Sequence, residues 1–325
     1  MNKICYGCGV KLQCNNPDGL GYVPENKIDD AAYCVRCFRM MHYGEHKDVI
    51  TPKDEKEIIR KINKDDKFVI FLVDFLNISE HVINLFNSIK GEKLLVVNKC
   101  ELLPKNVKPE RIRLYLKEYY HVNSDIKIKG GSLTHGAKAI YGYLGDRGIN
   151  EAYILGISNS GKSTLINDLI KVIGSNIKEI NTNSKANTTL DFMRVKIDNN
   201  LTLIDSPGFI IENALENDVT TDKATAYSFH MKAGEGLSIL DGRYYFKVLD
   251  GTSLVFYTNV NSKVVAKKNF KEVKTTNELN IIKNNQDIVL YGIGFITVKD
   301  GTRIKTNINS ESMEIRDSMF GGYYE

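Results

Sequence analysis

Four short clusters of residues in this chain have types and spacings that could do chemistry. Gly156-Ile-Ser-Asn-Ser-Gly161-Lys162-Ser163 has the spacing G-x4-G-K-S, follows the apolar run Tyr153-Ile-Leu155 and opens a helical stretch from Lys162 to Ile173. Gly156 and Gly161 let the backbone curl so that its N–H groups point inward, a cradle for phosphate at a helix N-terminus. Lys162 is placed to reach the β- and γ-phosphates and Ser163 to offer its hydroxyl to Mg²⁺, with Asn159, Ser160 and Thr164 completing the phosphate-side set. Asp205-Ser-Pro-Gly208 ends a second apolar run. There Asp205 suits Mg²⁺ through a water, and Gly208 lets a backbone N–H approach a γ-phosphate, so that hydrolysis can be felt as a switch. Between the two, Asn187-Thr188-Thr189 offers a hydroxyl to the metal shell, and Thr189 is preferred to Thr188.

The third cluster, Asn98-Lys99-Cys100-Glu101, follows the apolar run Leu94-Leu-Val-Val97. Glu101 can accept two hydrogen bonds from the N1–H and N2 amino group of guanine, a donor pair that adenine lacks. Asn98 and Lys99 would buttress the base and the phosphate loop, and Ser132 in Gly130-Gly-Ser-Leu-Thr134 would meet the guanine carbonyl through its backbone N–H. The elements therefore run base, phosphate, then metal and switch. An ordinary GTPase domain has the phosphate loop first, so this order predicts a circularly permuted one. Phe209 stands where many GTPases carry a water-orienting glutamine, and an apolar ring cannot do that work. Slow intrinsic turnover follows, with K⁺ beside the Asn159 carbonyl as the substitute for an arginine finger.

The fourth cluster, Cys5-x2-Cys8 and Cys34-x2-Cys37, is a four-thiolate spacing suited to structural, tetrahedral Zn²⁺. A segment this short and poor in apolar residues needs such a staple, and zinc binding of roughly 10–16 kcal/mol can fold it. Cys14 and Cys100 read as small buried residues. Lys3, Lys11, Arg36 and Arg39 read equally as RNA-phosphate contacts or as a solvated basic face.

Positioning these clusters requires a doubly wound, mostly parallel α/β layer over 55–212. Phe68–Val73 and Leu94–Val97 are the continuous apolar runs of strands buried on both faces, and helical spacing falls at 53–66, 79–90 and 108–120. Ile126-Lys-Ile128 is a short strand, and two further strands at 193–197 and 201–204 meet at an Asp-Asn-Asn turn. The polar stretch 212–236 reads as a linker with short helices. Beyond 237, short β-like segments separated by Asp-Gly, Asn or Gly turns predict a β-rich domain. The expected division is a zinc module at 1–50, the permuted domain at 51–212, and linker plus β-rich domain at 213–325. Lys263, Lys267, Lys268, Lys271 and Lys274, interleaved with Phe270, fit RNA backbone contact or a solvated surface equally.

With 325 residues and a net charge of +4, the chain permits an anionic partner without demanding one. No apolar run approaches the roughly 20 residues of a membrane span, and the N-terminus lacks a signal core, so a cytoplasmic protein is expected. Neither a membrane nor DNA is expected as a partner, and a monomer is favoured.

Together these residues resemble the YqeH family of circularly permuted GTPases. The resemblance rests on Cys5-Tyr-Gly-Cys-Gly-Val-Lys11, Tyr33-Cys-Val-Arg-Cys-Phe-Arg39 with His42-Tyr43, the permuted motifs and the β-rich tail. It implies GTP hydrolysis to GDP and phosphate, K⁺ dependence tied to Asn159, and a role in assembling the small ribosomal subunit on its rRNA. The family's Pro-Gly-Thr-Thr-Leu switch stands here as Ala186-Asn-Thr-Thr-Leu190, and Glu101 and Leu133 are further departures. The alternative is a nucleotide-gated rRNA scaffold in which hydrolysis is incidental.

Overall fold

Continuous apolar runs become strands buried on both faces. In the computed structural model β1 (Phe68–Asp74) is buried along its whole length, and β2 (Lys93–Asn98) is buried from Leu94 onward. The structure describes residues 3, 5, 11–15, 21–35, 38, 52–100, 107–129, 133–173, 192–215, 220–260, 264–267, 277–281, 285–299 and 301–320. The chain divides into two compact units. The first comprises Met1–Val73, Ser88–Asn98 and Ser124–Ile210, and the second Asp74–Asn87, Lys99–Asn123 and Ile211–Glu325.

The first unit is built on one six-stranded sheet. After β1 and β2 come β3 (Asp125–Ile128), β4 (Glu151–Gly156), β5 (Met193–Lys196) and β6 (Thr202–Asp205), in the spatial order β3-β2-β1-β4-β6-β5. Pairing is parallel from β2 to β3, β1 to β4 and β4 to β6, while β5 runs antiparallel to β6. The β5–β6 hairpin turns at Asp198, whose Oδ1 accepts from the N–H groups of Asn200 and Leu201 at 2.8 and 2.7 Å. Its short side chain caps the turn that the Asp-Asn-Asn run predicts. The helices of this unit are α1 (Pro52–Asp65), α4 (Leu133–Asp146) and α5 (Lys162–Ile173). One buried cluster joins strand residues such as Ile70, Val96 and Ile154 to Leu165 and Leu169 of α5. Leu12 and Val23 of the N-terminal segment belong to the same cluster.

The second unit holds α2 (Glu80–Asn87), α3 (Pro109–Glu118) and two five-stranded sheets. Its strands are β7 (Thr220–Met231), β8 (Gly236–Ile239), β9 (Tyr244–Val248), β10 (Thr252–Val260), β11 (Val265–Lys267), β12 (Asn277–Ile281), β13 (Gln286–Leu290), β14 (Gly294–Val298), β15 (Thr302–Thr306) and β16 (Met313–Asp317). They order as β16-β13-β14-β10-β7 and β11-β8-β9-β15-β12, so the β-rich C-terminal region matches the expectation.

The expectation of a linker with short helices at 212–236 fails. β7 is a twelve-residue strand paired antiparallel with β10, with Phe229 opposite Leu254 and Tyr227 opposite Phe256. Tyr227 and Phe229 are half-buried and Met231 buried, while Ala226, Ser228 and His230 face outward. This period of two is genuine, but its small polar members are weak strand formers and hide it.

Arg316 anchors the second unit's interior. It is buried, donates to the Ile78 carbonyl, lies 3.3 Å from the Tyr120 hydroxyl, and pairs with the buried Asp287 at 3.3 Å. Burial pushes the Asp287 carboxyl up, while Arg316 and the Thr297 hydroxyl pull against it. Among the described residues no helix is long and apolar enough to cross a membrane.

Candidate nucleotide-binding site

In a parallel sheet, ligands gather outside the carboxyl ends of the strands. Here β2, β4 and β6 end in Asn98, Gly156 and Asp205. β4 passes into the loop 156–161, which returns as the first turn of α5. Gly156, Asn159 and Gly161 have φ of 150°, 60° and 95°. A Cβ on Gly156 would lie 2.2 Å from the Leu72 carbonyl oxygen, so only glycine lets the loop leave the sheet there. Asparagine tolerates the left-handed conformation better than most residues, which suits Asn159.

Lys162 is buried, and its ammonium donates to the carbonyls of Gly156 and Ile157, both at 3.1 Å. Ser160, Ser163 and Asp205 are buried too. The segment 205–209 is tied to β4 and to the phosphate loop. The Ser158 N–H donates to the Phe209 carbonyl at 2.7 Å, the Phe209 N–H to the Gly156 carbonyl at 3.1 Å, and the Ser206 hydroxyl to the Ile154 carbonyl at 3.1 Å. A Cβ on Gly208 would meet Ser158 Oγ at 2.9 Å and Lys162 Nζ at 3.0 Å. The lysine, the buried aspartate and the close-approach glycine thus share one corner. Phe209 is fully buried and stacks on Phe71 with ring centroids 6.3 Å apart.

The end of β2 reaches the phosphate loop directly. Asn98 Nδ2 donates to the Ser160 carbonyl at 2.9 Å, although 62 residues separate them. Gly161 makes room for that amide, since a Cβ there would lie 2.2 Å from Asn98 Nδ2. Lys99, next in the chain, has φ 60° and pairs with the buried Asp74 at 2.8 Å, while Asp74 Oδ1 accepts from the Leu76 N–H at 2.8 Å. Asp74 was not singled out from the sequence. An acidic residue closing the all-apolar run 68–73 was the available signal.

A second buried pair also escaped the sequence reading. Lys129 Nζ lies 3.1 Å from Asp168 Oδ2, and both side chains are buried. Asp168 sits among Leu165, Ile166 and Leu169 on the apolar stripe of α5, where a lone carboxylate demands a partner. Glu101, Ser132, Asn187, Thr188 and Thr189 lie outside the described residues, as do Cys8, Cys37 and the lysines at 263, 268, 271 and 274. Of the four clustered cysteines, Cys5 and Cys34 are described. Both are buried, and the Cys34 N–H donates to Cys5 Sγ at 3.1 Å. Cys100 is buried as expected, whereas Cys14 is only half-buried.

Strand order, the glycine-shaped loop, the lysine that opens α5 and the neighbouring aspartate define a P-loop domain, with the strand that ends at Asn98 placed ahead of the phosphate strand in the chain. A family model described as 50S ribosome-binding GTPase matches residues 151–268, starting at β4. More particularly, the chain is similar to YqeH of Bacillus subtilis (strain 168), itself described as an uncharacterized protein, and spans about 60% of that protein's length. The two are 33% identical over 220 residues, which cover 65% of this chain and 60% of that protein. Nitric oxide-associated protein 1 of Mus musculus is 25% identical over 221 residues, covering 51% of this chain and 32% of that one. YjeQ from Thermotoga maritima, a solved structure, covers 47% of this chain and 51% of its own at 23% identity and a TM-score of 0.31.

Proposed function

We propose that this chain binds GTP and hydrolyses it to GDP and phosphate, as a slow timer in assembly of the small ribosomal subunit. The observation that carries the nucleotide reading is the Asn98–Ser160 hydrogen bond, which fixes the end of the base-side strand on the phosphate loop. Lys162 offsets phosphate charge, and the backbone N–H groups between Gly156 and Ser163 orient the oxygens at the start of α5. Ser163 and Asp205, joined by Thr189, would supply an oxygen set that suits Mg²⁺. That ion would neutralise charge on the triphosphate. Glu101 and Ser132 would read the guanine edge. K⁺ at the Asn159 carbonyl would stand in for an arginine finger.

Zn²⁺ would be held by Cys5, Cys8, Cys34 and Cys37. The Cys34 N–H aimed at Cys5 Sγ fits a thiolate ligand, because such a donor stabilises sulfur charge. The zinc module and the β-rich unit would hold rRNA, with GTP setting their relation, since the chain passes for the last time into the second unit at Ile211, directly after the switch segment. Support for a ribosomal role comes from the family model's description, which names the 50S ribosome, while the small-subunit reading rests on the resemblance of the sequence motifs. The test is nucleotide affinity of the purified chain in K⁺ buffer. GTP and GDP should bind at least tenfold more tightly than ATP, and equal affinities would refute the reading. Binding to small-subunit rRNA across salt concentrations tests the partner, and a flat salt response would remove it.

A further inference from the structure

The Lys129–Asp168 pair lies on a closed circuit of contacts that passes through the site. The Lys129 N–H donates to the Val97 carbonyl at 2.7 Å, one residue before Asn98. Its side chain runs over Gly136, where a Cβ would lie 2.6 Å from Lys129 Cγ, and its ammonium meets Asp168 at 3.1 Å. Asp168 belongs to α5, whose first residue is Lys162. The Gly161 carbonyl accepts from Leu165 N–H at 2.9 Å, and the Ser160 carbonyl accepts from Asn98 Nδ2, which closes the circuit.

The base-side strand is therefore braced to the phosphate side twice. Asn98 holds it at the loop, and Lys129 holds it to the body of the helix two turns further on. β2 is already paired with β1 and β3 in the sheet, and these two side-chain links add ties from its end to the phosphate loop and to α5 at different depths. The pair is buried, so it acts with little screening, and Gly136 is the residue that allows the lysine its path.

We infer that Lys129 and Asp168 form a positioning strut, held open by Gly136, that sets the separation between base-reading and phosphate-binding residues and so sharpens guanine selectivity. This rests on the nucleotide reading proposed above. The strut contributes no group to the phosphates. Its effect is to make a purine with the wrong edge unable to draw the two sides together.

The test uses the full-length chain with fluorescent GTP, GDP and ATP analogues, alongside thermal unfolding. Lys129→Met and Asp168→Asn should each lower the GTP-to-ATP affinity ratio at least tenfold. Lys129→Met/Asp168→Leu replaces both charges with apolar groups, so it should melt near the parent yet keep the lowered ratio. Gly136→Ala retains both charges while pushing the lysine aside, and should lower the ratio in the same direction. Should the single variants fail to fold, the double variant and Gly136→Ala decide the matter. Variants that melt earlier but keep the parental ratio would show a purely structural pair and overturn the strut. A parent that takes GTP and ATP alike overturns the nucleotide reading itself, whereas a selective parent with selective variants overturns the strut alone.

Discussion

Asn98 and Gly161 should be energetically coupled, and the sign of that coupling follows from one distance. Asn98→Ala removes the amide and leaves the buried Ser160 carbonyl unpaired, at a cost of about 1–3 kcal/mol. Gly161→Ala incurs two penalties. Its φ of 95° is a region that L residues avoid, costing about 1–3 kcal/mol. Its new Cβ would also stand 2.2 Å from Asn98 Nδ2, expelling the amide and losing the same hydrogen bond for about 1–3 kcal/mol more. In the double variant that bond is lost only once, and alanine at 98 leaves nothing for the Cβ to strike. The double should therefore be about 1–3 kcal/mol less destabilised than the sum of the singles. Urea unfolding of the four proteins at constant slope measures this directly. Additivity within about 0.5 kcal/mol would mean that the two positions do not share the contact, and the bracing of base strand to phosphate loop would lose its support.

Three further outcomes follow from the same structure. Replacing K⁺ by Na⁺ at equal ionic strength should slow GTP turnover by tenfold or more, and an unchanged rate would remove the cation from Asn159. A metal assay should find one zinc per chain, and chelation should lower the unfolding temperature and release it; zinc-free protein with unchanged melting would reduce the cysteines to packing. Arg316→Met should destabilise by about 3–5 kcal/mol because it strands the buried Asp287 charge, and adding Asp287→Leu should recover a large part of that loss in urea titrations.

The strands that carry the site were readable because burial on both faces leaves an unbroken apolar run, as at Phe68–Val73 and Leu94–Val97. The phosphate loop was readable because its glycines answer a local demand of the backbone, seen at Gly156 and Gly161. β7 was not, since a half-buried edge strand needs only Tyr227, Phe229 and Met231 on its inner face and tolerates Ala, Ser and His on the other. Nor was the grouping of Asp74–Asn87 and Lys99–Asn123 with the C-terminal strands, which depends on contacts such as Arg316 to the Ile78 carbonyl, 238 residues apart. Lys129 and Asp168 show the same limit. Each is an ordinary charged residue in its own neighbourhood, and only the fold brings partners 39 positions apart into one buried pair.

Phe209 shows what a buried aromatic ring contributes beside the phosphate loop. A water-orienting glutamine must point its amide at the reacting phosphate, which requires a side chain free to reach the site. Phe209 does the opposite. Its ring is fully buried against Phe71, and its N–H and C=O are both committed to the phosphate loop through Gly156 and Ser158. The ring therefore works as an anchor, pinning the end of the Asp205–Gly208 segment to the loop that Lys162 opens into a helix. An amide placed there would exchange buried aromatic area for a polar group without a partner, and would still face the core rather than the phosphates. On the proposed reading Phe209 has no part in orienting water, and Asn159 is the loop residue held in a left-handed backbone between Ser158, tied to Phe209, and Ser160, tied to Asn98.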